Sequence, residues 1–155
     1  MGETALFTIG YEGRTARDVI ELLREAAVSR LVDIRAVPMS RKPEFRKNVF
    51  AAILLRSGIA YSGMPELGTP RAIRDRLAED RDYAAFFRSF RRHLKRQDEP
   101  MFDLAALARR EPIALMCFER DALKCHRSAV ADELSKLVGA ATLHLGAPVP
   151  VASAR

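Results

Sequence analysis

Short apolar runs alternate with amphipathic stretches along the whole chain, and this alternation constrains the fold more than any other feature of the sequence. The runs are rich in β-branched residues and are bounded by glycine, proline or charged residues, which is typical of buried strands. They are ALFTI (5–9), RLVDIR (30–35), IAY (59–61), PIALMCF (112–118) and ATLHL (141–145). Strands that alternate with helices form α/β folds, so we predict a mostly parallel sheet of about five strands flanked by helices.

The stretches between these runs carry helix signals. Thr15 and Asp18 form a capping pair around the start of ARDVIELLREAA, while Gly58 and Gly139 end the patterns KNVFAAILLRSG and CHRSAVADELSKLVG. Residues 71–110 are helical in pattern, with phenylalanines at helical spacing. We therefore predict a single α/β domain over residues 1–155, with a flexible tail at residues 147–155.

Composition indicates in which compartment the protein acts and which kinds of partner it binds. The chain has 155 residues, no apolar run near the ~18 residues of a membrane span, and no signal-peptide pattern. Two cysteines are too few for a disulfide framework, so we predict a cytoplasmic protein with reduced thiols and no membrane partner. A net charge of +6 favours an anionic small molecule or nucleic acid as the partner. Composition gives no prediction of the oligomeric state.

The carboxyl ends of parallel strands are where ligands bind in α/β folds. Four polar loops follow the first four predicted strands, namely GYEGRT, RAVPMSRKPEF, YSGMPELG and FERDALKCHR. We expect these loops to meet at one edge of the sheet and to form a site. The candidate catalytic residues are Cys117, Glu119, Cys125 and His126. The candidate substrate-binding residues are Tyr11, Arg35, Ser40, Arg41, Tyr61 and Arg127.

The two cysteines differ in their settings. Cys117 ends a predicted strand, where a cysteine is either a small buried apolar residue or a reactive thiol. Cys125 begins a predicted helix beside Lys124 and His126, and both the basic neighbours and the helix dipole favour its thiolate. A disulfide between the two cysteines is geometrically feasible, but it would be unusual as a structural bond in a reducing compartment.

A metal site is the weaker interpretation of the same segment. The two cysteines, His126 and Glu119 could complete a tetrahedral zinc site. Their spacing is not that of a paired-cysteine knuckle, and adjacent Cys125 and His126 would have difficulty reaching one ion. We therefore predict no metal and no other cofactor.

The charged candidates each have a functional and a structural interpretation. Arg127 and His126, at a helix start, could bind an anion. Arg35 and Arg41 would then reinforce the same patch. Alternatively, Arg127 pairs with Glu119 or Asp33 and fastens the corner. Asp33 and Arg35 could likewise form an ion pair that closes the strand.

Three further features are open in the same way. Glu119 is either a proton-transfer group or a surface carboxylate. Tyr11 and Tyr61 either stack on a ring of the substrate or pack at the edge of the core. The basic face of FFRSFRRHLKRQ (86–97) either contacts phosphates or is solvated. No P-loop, GxGxxG, HExxH or GxSxG pattern occurs, which removes the commonest nucleotide-binding, zinc-protease and hydrolase hypotheses.

Four segments together resemble a known family. TIGYEGRT, LVDIRAVPMSRKPEF, GIAYSGMPELG and LMCFERDALKCHRSAVADEL follow the order and spacing of the domain of unknown function (DUF) 488 family over nearly the whole chain. The resemblance implies motif positions without assigning them roles, at Arg35, Pro38, Ser40, Tyr61, Leu67, Gly68, Cys117, Glu119, Cys125, His126 and Arg127. A looser similarity to rhodanese and phosphatase-type domains departs at FERDALK, which lacks their glycine and is charged with both signs.

These observations lead to three hypotheses. The first is a small intracellular enzyme that acts on an anionic, nucleotide- or nucleic-acid-related substrate, with a Cys/Glu/His/Arg site at the carboxyl edge of the sheet. The second is a non-catalytic nucleic-acid-binding module that uses the basic loop 41–47 and the 88–96 face. The third is a thiol redox or rhodanese-like sulfur-transfer protein.

Overall fold

The computed structural model describes residues 6–147, in which five strands form one parallel sheet in the order β3-β2-β4-β1-β5. The strands are β1 (Leu6–Gly10), β2 (Arg30–Asp33), β3 (Ala60–Gly63), β4 (Ile113–Cys117) and β5 (Thr142–His144). Every pairing in the sheet is parallel. The predicted α/β fold is confirmed, and each strand lies within a predicted apolar run or overlaps it.

Six helices connect and flank the strands. They are α1 (Ala16–Glu25), α2 (Lys47–Arg56), α3 (Arg71–Asp80), α4 (Tyr83–Leu94), α5 (Asp98–Arg110) and α6 (His126–Val138). The predicted capping box of α1 is present, with the Thr15 side chain accepting from the Asp18 amide. Gly139 ends α6 at a φ of 69°, a conformation that favours glycine. Of the predicted flexible tail, residues 148–155 lie outside the described residues.

The sheet is buried on both faces. Ile113 and Leu115 of β4 pack in a cluster with residues of α4, α5 and α6, including Phe90. Ala114, which lies between them, and Met116, which follows them, pack on the other face with α1 and α2, including Leu23. Strands covered on both sides have no polar alternation, which explains why β4 is a continuous apolar run in the sequence. No helix of residues 6–147 is long and apolar enough to cross a membrane.

The sheet order places one crevice at the carboxyl edge. β4 lies between β1 and β2. The helices that follow β1 and β2 pack on one face of the sheet, whereas α6, which follows β4, packs on the other. The loops after these three strands therefore diverge above β4, which is the arrangement that opens a ligand crevice in parallel α/β sheets.

Candidate functional site

A cavity of about 600 Å³ opens at the carboxyl edge of the sheet. Small-molecule sites commonly measure about 300–1,000 Å³, so this one has room for a substrate. The loops after β1, β2, β3 and β4 all contribute to its wall, although after β3 the contributing residue is Thr69 and none of the predicted segment 61–68 lines the cavity. Two helices complete the wall through Arg74 and Leu77 of α3 and Phe86 of α4.

Most of the predicted site residues line this cavity. Those that do so are Tyr11, Arg35, Ser40, Arg41, Cys117, Glu119, Cys125 and His126. Two predicted residues are not part of the wall. Tyr61 lies behind it, where its hydroxyl donates to Asp33 at 2.6 Å. Arg127 is 1% exposed and lies beneath Cys117.

The strand–loop–helix corner after β4 brings the two cysteines together. Cys117 is the last residue of β4 and Cys125 is the N-cap of α6, and each is 1% exposed. Their sulfur atoms are in contact, and their Cα atoms lie 7.7 Å apart. Asp121 holds the intervening loop by accepting a hydrogen bond from the Leu123 amide at 3.0 Å. The polar loop between β4 and α6 thus brings the two sulfur atoms together at the cavity wall.

Arg127 fastens this corner from below. Its Nε donates to the Thr8 hydroxyl at 3.0 Å, and its Nη1 donates to the sulfur of Cys117 at 3.2 Å. The remaining donors reach the backbone carbonyls of Glu119 and Arg120. No carboxylate of residues 6–147 accepts a hydrogen bond from Arg127, so the alternative in which it pairs with Glu119 or Asp33 is not present in this part of the chain. Burial lowers the pKa of Arg127 to about 10, which leaves the side chain charged at neutral pH.

A second buried arginine lies at the end of β2. Arg35 forms a bidentate pair with Asp33, with Nε–Oδ1 and Nη2–Oδ2 distances of 2.9 and 2.7 Å. Its Nη1 also donates to the Tyr11 hydroxyl at 3.2 Å and to the Phe45 carbonyl at 2.8 Å. Burial opposes the charge, but the hydrogen bonds and the charge of Asp33 outweigh it and raise the pKa of Arg35. Of the two interpretations of this pair, the structure contains the ion pair that closes the strand.

His126 has a fixed orientation in the cavity wall. Its Nε2 lies 2.9 Å from the carbonyl oxygen of Ile34, and its Nδ1 lies 3.8 Å from the sulfur of Cys125. A carbonyl only accepts, so Nε2 carries the proton and the lone pair of neutral Nδ1 faces the sulfur. Burial lowers the pKa of His126 to about 4, and the ring is therefore neutral near pH 7.

The charges of the cavity are unbalanced. Glu119 is its only acidic lining residue among residues 6–147, and burial raises the pKa of its carboxyl. Its Oε1 lies 4.0 Å from the sulfur of Cys117. Four lining cations take part in no ion pair within this part of the chain, namely Arg41, Lys42, Arg74 and Lys124. The lining of the cavity therefore carries a net positive charge.

Several lining residues were not among the predicted site residues. Arg74 and Phe86 reach the cavity because α3 and α4 fold over the edge of the sheet, which no local pattern shows. Lys124 could have been included, since it precedes Cys125 directly. The rim also carries exposed apolar side chains, with Val37 at 53% and Phe118 at 44% exposure.

The fold and the site define the protein as a parallel α/β protein with a cavity at the carboxyl edge of its sheet that both charged and apolar side chains line. The chain belongs to the family described as domain of unknown function DUF488, whose sequence model matches residues 15–134. That range contains every cavity residue except Tyr11. No curated protein and no solved structure gives a significant match to the chain.

Proposed function

We propose that the protein is an enzyme that acts on an anionic substrate bound in the cavity at the carboxyl edge. The proposal rests on the meeting of Cys117, Glu119, Cys125 and His126 on the wall of one cavity. Four cations that form no ion pair within residues 6–147 line the same cavity. Side chains that can act as nucleophiles, acids or bases thus lie beside cationic side chains that can bind an anion. This is the usual organisation of an active site.

The lining cations differ in the hydrogen bonds that they already make within the protein. Arg41, Arg74 and Lys124 have no hydrogen-bond partner among the side chains of residues 6–147 and are available for charge-assisted bonds to a phosphate or carboxylate. Lys42 is partly engaged, because its Nζ donates to the Arg14 carbonyl at 2.9 Å. Glu119 is the proton-transfer group, since it is the only carboxylate among residues 6–147 that lines the cavity.

The rim favours a substrate with an apolar or aromatic portion. The exposed ring of Phe118 and the exposed side chains of Val37 and Met39 surround the basic groups. A nucleotide matches both features, because its base can stack on an aromatic ring while its phosphate meets the cations. This supports a nucleotide or a nucleic-acid end as the substrate.

A binding experiment tests the first half of the proposal. AMP and inorganic phosphate are titrated into the protein by calorimetry, and the Arg74→Ala/Lys124→Ala variant is compared with Arg88→Ala/Arg92→Ala on the exposed face of α4. We expect the cavity variant to weaken AMP binding about 10-fold or more, which is about 1.4 kcal/mol, and the α4 variant to leave it unchanged. Equal losses, or no binding of either probe, would contradict the proposal.

Turnover tests the second half. The protein is incubated with a set of nucleotides and short oligonucleotides, and the products are identified by mass spectrometry. We expect a product that disappears in Glu119→Gln while AMP binding is retained. Oligonucleotide binding without any product, lost on reversing the charges of Arg88 and Arg92, would instead favour the nucleic-acid-binding module.

A thiol redox function is the second candidate, and the contact between the two sulfur atoms favours it. Two thiols would release two protons and two electrons to a disulfide oxidant such as oxidised glutathione. The test equilibrates the protein in glutathione buffers of increasing oxidation and counts the thiols that react with iodoacetamide after unfolding. If both cysteines remain alkylatable in every buffer, the redox candidate is wrong.

A further inference from the structure

Three donor atoms converge where the cysteines meet. One donor atom each from Cys117, Cys125 and His126 lies within 4.8 Å of the other two, and all three residues are buried. Thiolate sulfur and imidazole nitrogen are the preferred protein ligands of Zn²⁺ and related thiophilic divalent ions. The adjacency of Cys125 and His126, which disfavours a shared ion in the sequence, does not keep their donor atoms apart.

We propose that the reduced protein binds one thiophilic divalent cation, such as Zn²⁺, through Cys117, Cys125 and His126, with the fourth coordination position open to the cavity. Three protein ligands and an open position are typical of catalytic rather than structural zinc sites. Glu119, whose Oε1 lies 4.0 Å from the sulfur of Cys117, lines the same cavity. Metal binding by this cluster does not depend on the anion-binding activity proposed above.

The orientation of His126 matches that of a ligand. Its Nε2 donates to the Ile34 carbonyl at 2.9 Å, a contact of the kind that orients metal-binding histidines and leaves the other nitrogen free to coordinate. The free Nδ1 lies 3.8 Å from the sulfur of Cys125. In a tetrahedral zinc site, sulfur and nitrogen ligands are separated by about 3.6 Å, as follows from the usual bond lengths. This pair is therefore already near its ligand spacing.

The backbone places the two cysteines for a shared ion. Their Cα atoms lie 7.7 Å apart, beyond the range of roughly 4.4–6.8 Å that is usual for disulfides. In the reduced form, rotation of the side chains separates the sulfurs, and the ion takes the place between them. Binding releases the thiol protons, so the two thiolates balance the charge of the cation.

The surroundings of the sulfurs stabilise the thiolate form. The guanidinium of Arg127 donates to the sulfur of Cys117 at 3.2 Å, and its backbone amide donates to the sulfur of Cys125 at 3.5 Å. The second contact lies at the amino terminus of α6, where the helix dipole also favours negative charge. Hydrogen bonds of this kind support thiolate ligands from outside the coordination sphere.

The test uses the full chain, freed of metal with a chelator and reduced with a phosphine. Zn²⁺ is titrated against a chromophoric chelator, and Co²⁺ is added in parallel as a spectroscopic probe of geometry. We expect one ion per chain, with the sulfur-to-cobalt charge-transfer bands and intense visible bands of a tetrahedral thiolate site. Absence of one-to-one binding at micromolar concentrations, or an octahedral cobalt spectrum, would overturn the proposal.

Variants locate the ion. His126→Gln and Cys117→Ser should weaken Zn²⁺ binding by more than the roughly 10- to 100-fold cost of losing an outer-shell contact. His93→Gln is the matched control, because His93 also meets a backbone carbonyl, that of Glu66 at 3.2 Å, but does not line the cavity. Equal affinities of the three variants would contradict the assignment.

A second measurement avoids variants that fail to fold. Wild-type protein treated with methyl methanethiosulfonate, which caps each thiol as a methyl disulfide and releases methanesulfinate, should lose Zn²⁺ binding and recover it after reduction. Binding that is indifferent to this capping would contradict the proposal. Absence of Zn²⁺ binding would leave the AMP affinity unaffected, so the two proposals are tested separately.

Discussion

An arginine is buried at the end of β2 and another beneath the end of β4, but only the first is paired with a carboxylate within residues 6–147. Arg35 is held by the carboxylate of Asp33, and its pKa is raised. Arg127 meets a sulfur, a hydroxyl and two carbonyls, and burial lowers its pKa to about 10. The charge of Arg35 is therefore balanced within the fold. The charge of Arg127 remains available to whatever occupies the wall above it, whether a thiolate or a bound anion.

Removal of Asp33 should give the largest effect. Asp33→Ala leaves the buried guanidinium of Arg35 without its partner, and we expect a loss of about 3–5 kcal/mol in the free energy of unfolding, measured with urea. Adding Arg35→Met removes the unpaired charge and should recover part of this loss. A double variant no more stable than Asp33→Ala would break the comparison, because the pairing would then not explain the stability of this strand end.

Gly10 offers a smaller test at the β4 end. A Cβ at this position would overlap the carbonyl of Glu119 and lie 3.0 Å from Nη1 of Arg127. We expect Gly10→Ala to displace the loop after β4 and to cost about 1–3 kcal/mol by thermal unfolding. Gly63→Ala is the control, since its nearest neighbour would be 3.7 Å away. Similar losses for both variants would show that the close approach of the loop is unimportant.

The smallest expected effect is on AMP affinity, and it compares the charge of Arg127 with that of the Asp33–Arg35 pair. Arg127→Met removes a positive charge from behind the cavity wall, and we expect AMP affinity to fall about 2- to 5-fold, or roughly 0.4–1 kcal/mol. Asp33→Asn/Arg35→Met removes a neutral pair and should leave AMP affinity unchanged. Calorimetry of both variants at low salt makes the comparison. The reverse order of effects would show that the charge of Arg127 is also neutralised within the fold.

The sequence predicted the strands well because each is a local, continuous apolar run between breaking residues. Helix boundaries within residues 71–110 were less visible. Arg81 takes a φ of 53° between α3 and α4, and Gln97 separates α4 from α5, yet neither is a strong helix-breaking residue. The apolar stripe that includes Phe86 and Phe90 belongs to α4 alone. Periodicity therefore predicted a helical region but not the points at which one helix ends and the next begins.

The strand order made it possible to predict which loops lie near one another, whereas the contribution of helix packing to the cavity could not be predicted. Cys117 and His126 share the cavity because parallel strands end at one edge, which the alternating pattern implies. Arg127 and Arg41 have the same side chain, but Arg127 points into the protein because of its position on α6, whereas Arg41 lines the cavity. Arg74 comes from a helix whose position over the edge depends on long-range contacts that the sequence does not display.

The position of β1 has a consequence for dissecting the protein. β1 lies between β4 and β5 in the sheet, yet both β1 and β5 fall outside the range 15–134 that the family model matches. A fragment cut to that range would leave β4 as an open edge with unpaired backbone groups, which promotes association between chains. It would also lack Thr8, which anchors Arg127. The segment by which the family is recognised is thus shorter than the segment that must be expressed to form the cavity.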